Sequence, residues 1–280
     1  MPLKIAVVGT VGVPASYGGF ETLVEHLIDD DEHKYTVYCS GTHYRKNRLC
    51  SYKGADLIYL PLSANGISSV FYDILSVLHG LLKGNSHFLM LGTSGALIIP
   101  LVRLFFPTKK IITNIDGMEW RRSKWNRLAR WFLRLCEKLA VVFSHKVIAD
   151  NDAIAEYVML NYERDCEIIA YGGDHALVNV KKVGDASHLG LDGVYDLAIC
   201  RIEPENNVDI ILEAYASTTH QLIFIGNWQV SKYGKKMLRV YGSSKNILFL
   251  DPIYDLEALY VYRKHCRAFV HGHSAGGTNP

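Results

Sequence analysis

A chain of 280 residues, 49% hydrophobic and 21% charged, has room for two α/β domains and is not the composition of a disordered or fibrous protein. The net charge of +2 is too small to imply nucleic acid as the main partner, so any basic function must come from local clustering. Six cysteines (Cys39, Cys50, Cys136, Cys166, Cys200, Cys266) without a C-x-x-C pair point away from a disulfide scaffold or a zinc site and fit reduced thiols in a cytoplasm.

The chain enters directly on an apolar run, Ile5 to Val8, with no charged and then apolar leader ahead of it, so secretion is not expected. That run reads as a buried parallel strand breaking at Gly9 into a glycine-rich loop, which feeds a helix from Phe20 to Asp30. Gly18 and Gly19 would let the backbone approach a ligand or take positive φ, and the helix start would aim N–H groups at a phosphate. Strands then alternate with helices: strands 35–39 and 57–60, helix 67–82, strand 87–91, helix 95–106 and strand 110–115. The long helix 123–143, strand 146–149, helix 153–161 and strand 167–170 follow. The apolar stretches 67–82 and 96–106 are too interrupted to span a bilayer and read as buried helices. A glycine-rich lapse over 174–194 marks a linker between a domain at 1–173 and a second at 195–280. In the second, strands 195–200, 221–225, 246–250 and 268–271 alternate with helices 207–216, 232–241 and 256–264. The expected fold class is α/β with two doubly wound parallel sheets, the second incomplete because a closing helix is expected beyond Pro280.

Three constellations could carry chemistry. The first loop lacks both the G-x-G-x-x-G and the G-x-x-x-x-G-K-[ST] spacing, which disfavours a nicotinamide enzyme and a nucleoside triphosphatase. Asn114 to Arg122, at a strand's carboxyl end, offers Asp116 and Glu119 for acid–base work and Arg121 and Arg122 for an anion. The alternative is an ordinary helix start with a solvated basic turn. In the second half Arg201, at a strand end and facing a helix start, suits a diphosphate. Gly226 and Asn227 occupy the equivalent place after the next strand, and His271 to Pro280 forms another glycine-rich loop. Helix 123–143 carries Arg127, Arg130, Arg134 and Lys138 beside Leu128, Phe132, Leu135 and Leu139, which suits either an anionic membrane surface or a packed helix with a solvated face. The acidic runs 29–31 and 150–152 read as a helix end and a helix cap and not as metal sites.

Taken together, Tyr17-Gly-Gly-Phe-Glu21, Asp116-Gly-Met-Glu-Trp120, Arg201-Ile-Glu-Pro-Glu-Asn206 and Gly272-His-Ser-Ala-Gly-Gly-Thr-Asn-Pro280 resemble the rhamnosyltransferase-type branch of the family 4 glycosyltransferases. The resemblance implies the GT-B fold, two Rossmann-like domains of which the first binds acceptor and the second a nucleotide sugar. It implies a retaining transfer of a hexose or deoxyhexose, such as rhamnose from dTDP-rhamnose, to a lipid-linked or saccharide acceptor in bacterial surface polysaccharide assembly. No metal or other cofactor is implied. Asp116 and Glu119 would be catalytic. Gly18, Gly19, Arg201, Asn206, Gly226, Asn227, His273, Gly276, Gly277 and Thr278 would hold the donor. Tyr17, Phe20, Glu21, Trp120, Arg121 and Arg122 would face the acceptor. Asn206 stands where the family usually has a lysine, and Gly276 where it has a glutamate. The expected location is cytoplasmic, with contact to the inner membrane surface through helix 123–143. The alternatives are a nucleotide-sugar epimerase of the same architecture and a truncated, inactive sugar-nucleotide or membrane-binding protein.

Overall fold

The computed structural model describes residues 2–29, 32–46, 48–115, 117–122, 125–177 and 194–273. The chain divides into two compact units, the first ending at Tyr171 and the second beginning at Gly172.

In the first unit the strands are β1 (Lys4–Val8), β2 (Lys34–Ser40), β3 (Ser51–Tyr52), β4 (Ala55–Leu60), β5 (His87–Leu91), β6 (Lys110–Ile115), β7 (Lys146–Ala149) and β8 (Glu167–Ile168). They form one sheet in the order β3-β4-β2-β1-β5-β6-β7-β8. All pairings are parallel except β3 with β4, a short antiparallel hairpin that the apolar pattern does not reveal because two residues are too few for an alternation. Buried on both faces, the strands read as near-continuous apolar runs, which is why they are easy to place from sequence.

The helices are α1 (Gly19–Leu27), α2 (Ser68–Leu82), α3 (Ile99–Phe105), α4 (Arg127–Phe143) and α5 (Asp152–Tyr162). Val24 and Ile28 seat α1 against Val7, Val37 and Leu91 on one face of the sheet. On the other face Tyr72 and Val77 of α2, Ile99 and Val102 of α3, and Cys136 and Ala140 of α4 share one core with Ala6, Val8, Phe88 and Ile111. Asn126 caps α4 by accepting from Ala129 N, and Asn151 caps α5 from Ile154 N. The Asp150-Asn151-Asp152 run is therefore a helix start.

One expectation needs correction. Stretches 67–82 and 96–106 are helical but buried on one side only: Ile67, Phe71, Leu75, Leu78 and Leu82 are exposed along α2, and Leu101, Leu104 and Phe105 on α3. These helices are apolar on both sides, and the sheet covers only one of them.

The second unit holds β9 (Tyr195–Ile199), β10 (Gln221–Ile225), β11 (Ile247–Leu250) and β12 (Ala268–Phe269), parallel and in the order β11-β10-β9-β12. α6 (Val208–Ala216) and α7 (Lys232–Tyr241) cover one face through Leu212 and Met237, and Leu259 of α8 (Leu256–His265) packs on the other with Leu197 and Ile223. Asp196 takes a two-pronged contact from Arg267, at 2.9 and 2.5 Å, and a hydrogen bond from Tyr215 at 2.6 Å, tying β9 to the segment before β12.

In each sheet the order reverses beside the first strand, between β1 and β5 in one and between β9 and β12 in the other. Open α/β sheets bind ligands outside the carboxyl ends of strands at such points.

Candidate functional site

The loop after β1 is held by its own polar groups. Glu21, buried in the first turn of α1, accepts from Thr10 Oγ1 at 2.8 Å and Val11 N at 2.7 Å. Tyr72 of α2 donates to Thr10 O at 3.0 Å, and Tyr44 to Pro14 O at 2.8 Å. Gly18 is extended, with φ of −163°, and no side chain caps the start of α1. Among the described residues a Cβ at Gly19 would meet nothing within 4 Å. Tyr17 lies edge-on to His43, and Phe20 packs into the α1 core. Among these residues, then, Gly18 and Gly19 offer a backbone surface, while Glu21 is engaged by the loop itself.

The loop after β5, 92–95, lies across the reversal point from it. Its anchor is Asp73, one residue beyond Tyr72, which accepts from Ser94 Oγ and from the Gly95 N–H. Asp73 is 2% exposed and its Oδ1 has no partner. Burial pushes this carboxyl from 3.8 up to about 7, against the pull of its two donors. The folded protein thus holds a proton here that the unfolded chain has released, so stability falls as pH rises from the ordinary carboxylate range to about 7 and is level above it. Between about pH 5 and pH 7 the fall amounts to about 2 kcal/mol. Urea midpoints across that range should show it in the wild type and lose it in Asp73→Asn; parallel curves for the two proteins would refute it.

The segment after β6 forms a short helical turn over Glu119–Arg121. Asp116 lies outside the described residues. Glu119 bridges Arg122 Nη1 and Trp125 Nε1, each at 3.1 Å. Trp120 donates its indole N–H to buried Glu137 of α4 at 3.0 Å, and its ring lies near Arg121 and Arg134, 5.3 and 4.9 Å from the guanidinium carbons. Glu137 Oε1 also accepts from Tyr157 at 2.5 Å and Tyr162 at 2.6 Å. Burial raises both phenols, and the neighbouring Glu137 carboxylate adds to it. Sequence reading missed Glu137 because a lone acid in an Arg-rich helix looks like any surface charge. Asn114, at the end of β6, is buried, and its Oδ1 finds no partner among the described residues.

In the second unit Arg201 follows β9, and its carbonyl accepts from Asn206 Nδ2 at 2.7 Å. Asn227 Oδ1 accepts from Ile202 N at 2.7 Å, and Asn207 Nδ2 donates to Gly272 O at 2.7 Å. Asn227 and Asn207 thus lash the loop following β9 to those following β10 and β12, and Asn206 braces the β9 loop from within. A Cβ at Gly226 would sit 2.4 Å from Ile202 Cδ1, which explains the glycine there as close packing. Where a lysine would bring charge, Asn206 is buried and its amide spent on the loop. His273 stacks on His271 with centroids 4.1 Å apart. Gly276, Gly277 and Thr278 lie outside the described residues. Among the described residues no group of three His, Cys, Asp or Glu side chains could hold a metal ion.

Two Rossmann-like units, each with its loops gathered at the reversal point of its sheet, give this chain the GT-B class of fold that its structural neighbours share. HepE of Anabaena, solved with UDP and glucose, is 14% identical with a TM-score of 0.69, over 98% of this chain and 75% of that one. The trehalose 6-phosphate synthase of Burkholderia multivorans is 10% identical with a TM-score of 0.68, over 100% of this chain and 78% of that one. A UDP-GlcNAc 2-epimerase of Neisseria meningitidis, solved with UDP-GlcNAc, is 13% identical with a TM-score of 0.60, over 95% and 77% respectively. The chain belongs to the family described as domain of unknown function (DUF1972), which matches residues 3–174. No curated protein matches it.

Proposed function

We propose that this protein is a retaining glycosyltransferase that moves a hexose or deoxyhexose, with dTDP-rhamnose the leading donor, to a lipid-linked saccharide during bacterial surface polysaccharide assembly. The observation that carries this reading is the placement of Arg201 at the carboxyl end of β9, beside the loop that Asn207 ties to Gly272. A guanidinium there, beside glycine backbone, suits the diphosphate of a nucleotide sugar. Solved proteins of the same fold contain UDP, in line with that choice. In this reading Asp116 and Glu119 serve the reacting sugar, Gly18 and Gly19 offer backbone N–H groups, and Trp120, Arg121 and Arg122 border the acceptor. No metal takes part. The protein works in the cytoplasm, against the inner membrane surface.

Calorimetry with UDP- and dTDP-linked sugars tests it. Arg201→Ala should weaken binding by at least about tenfold, the worth of a charge-assisted contact, and absence of binding to the wild type would sink the proposal. The epimerase-like neighbours favour a second reading, in which the sugar nucleotide is rearranged without an acceptor. Release of nucleoside diphosphate only when a lipid-linked acceptor is present decides for transfer; a changed sugar nucleotide without acceptor decides for epimerisation.

A further inference from the structure

The outward side of the first unit's three-helix layer has an unusual composition. On α2 the exposed Ile67, Phe71, Leu75, Leu78 and Leu82 recur at helical spacing, opposite the buried Tyr72, Asp73, Ser76 and Val77. Leu101, Leu104 and Phe105 on α3 and Leu128 and Trp131 on α4 are likewise exposed, Trp131 to 64% and Leu82 to 87%. The three helices pack on the same face of the sheet through one core, so these side chains emerge from one layer. Single exposed apolar residues are ordinary on a protein surface; ten large ones over three neighbouring helices are not.

Charge says what covers them. Stretches 67–83, 96–110 and 126–143 contain two acidic residues, Asp73 and Glu137, and both are turned inward and buried. Every other charged side chain there is basic: Lys83, Arg103, Lys109, Arg127, Arg130, Arg134 and Lys138 on or beside the helices, and Lys110 at the start of β6. With a net charge of only +2 for the whole chain, this single-sign layer is a local segregation and not a reflection of overall basicity. A protein partner would call for hydrogen-bonding complementarity around an apolar centre. Large apolar side chains set among cations alone match instead an anionic lipid surface, whose acyl boundary takes the first and whose headgroups take the second. Among the described residues no helix is long and apolar enough to cross a membrane, so the layer would lie on the bilayer.

We propose that the α2–α3–α4 layer docks the protein on an anionic bilayer, with the exposed stripe of α2 entering the acyl boundary and the cations of α3 and α4 meeting headgroups. This deepens the membrane contact of the functional reading, from one helix to a layer in which α2 and not α4 supplies the main apolar stripe. Its test reads binding and not transfer, so it can fail while nucleotide-sugar binding stands.

The experiment is flotation of the full chain with vesicles of equal parts phosphatidylcholine and phosphatidylglycerol, against phosphatidylcholine alone. Binding to the anionic vesicles is expected, weakening with salt. Phe71→Glu with Leu75→Glu should lower it by at least about tenfold, because two apolar groups then resist insertion and repel the headgroups. Both residues are exposed, so circular dichroism and the affinity for sugar nucleotide should stay at wild-type values. Absence of vesicle binding at low salt, or equal binding by the double variant, overturns the proposal. So does a stable dimer that the same substitutions dissociate in the absence of any vesicle binding, which would assign the layer to a second copy of the chain.

Discussion

Gly9→Ala is expected to destabilise the first unit by more than about 4 kcal/mol, a loss in the exceptional range, because backbone itself must move. Gly9 has φ of +93°, and a Cβ there would lie 2.1 Å from the carbonyl oxygen of Leu91. That oxygen belongs to the end of β5, the neighbouring strand, so no side-chain rotation relieves the clash. Gly54 separates the two components of the cost. Its φ is +79°, yet a Cβ would meet nothing within 4 Å, so Gly54→Ala should cost only about 1 kcal/mol. Urea unfolding of both variants checks the difference; comparable losses would show that backbone conformation and not the approach to Leu91 demands the glycine.

Glu137→Ala should cost about 4 kcal/mol and loosen the segment after β6. The substitution strands three donors, the Trp120 indole and the Tyr157 and Tyr162 hydroxyls, around a carboxylate only 2% exposed. Each unmade bond costs about 1 to 3 kcal/mol, partly recovered as water enters. Glu137→Gln keeps an oxygen for the tyrosines but presents an amide N–H to the indole N–H, so it should lose about half as much. Denaturation midpoints test the ranking, and Trp120 fluorescence tests the loosening. Equal stability of Glu137→Ala and wild type would show that the three donors find other partners.

The strand and helix succession was legible because parallel strands covered on both faces are apolar over most of their length, as in β5 and β10, while caps such as Asn151 announce themselves by residue type. The loops at the sheet reversals were legible for the same reason: glycine and proline interrupt the apolar runs there. What the sequence hid was allegiance. Glu21, Asn206 and Asn227 look like ligand-binding groups in linear order, and each instead has a polar atom engaged by the protein itself: Glu21 by the loop after β1, Asn206 by its own loop, and Asn227 by the loop after β9. Asp73 and Glu137 hide in the opposite sense, as acids in helical runs whose burial depends on which side meets the sheet. A lone carboxylate inside the apolar stretch 67–82 was the available signal for Asp73. The exposure of α2 was hidden because residues apolar on every side do not say how many sides will be covered.

Tyr72 and Asp73 are consecutive, yet one holds the loop after β1 and the other the loop after β5. Both loops hang from one peptide unit of α2, so the helix cannot shift or rotate and release one without disturbing the other. Any displacement of this part of α2 would therefore be felt on both sides of the reversal point at once, and on the apolar stripe that the same helix carries on its opposite side.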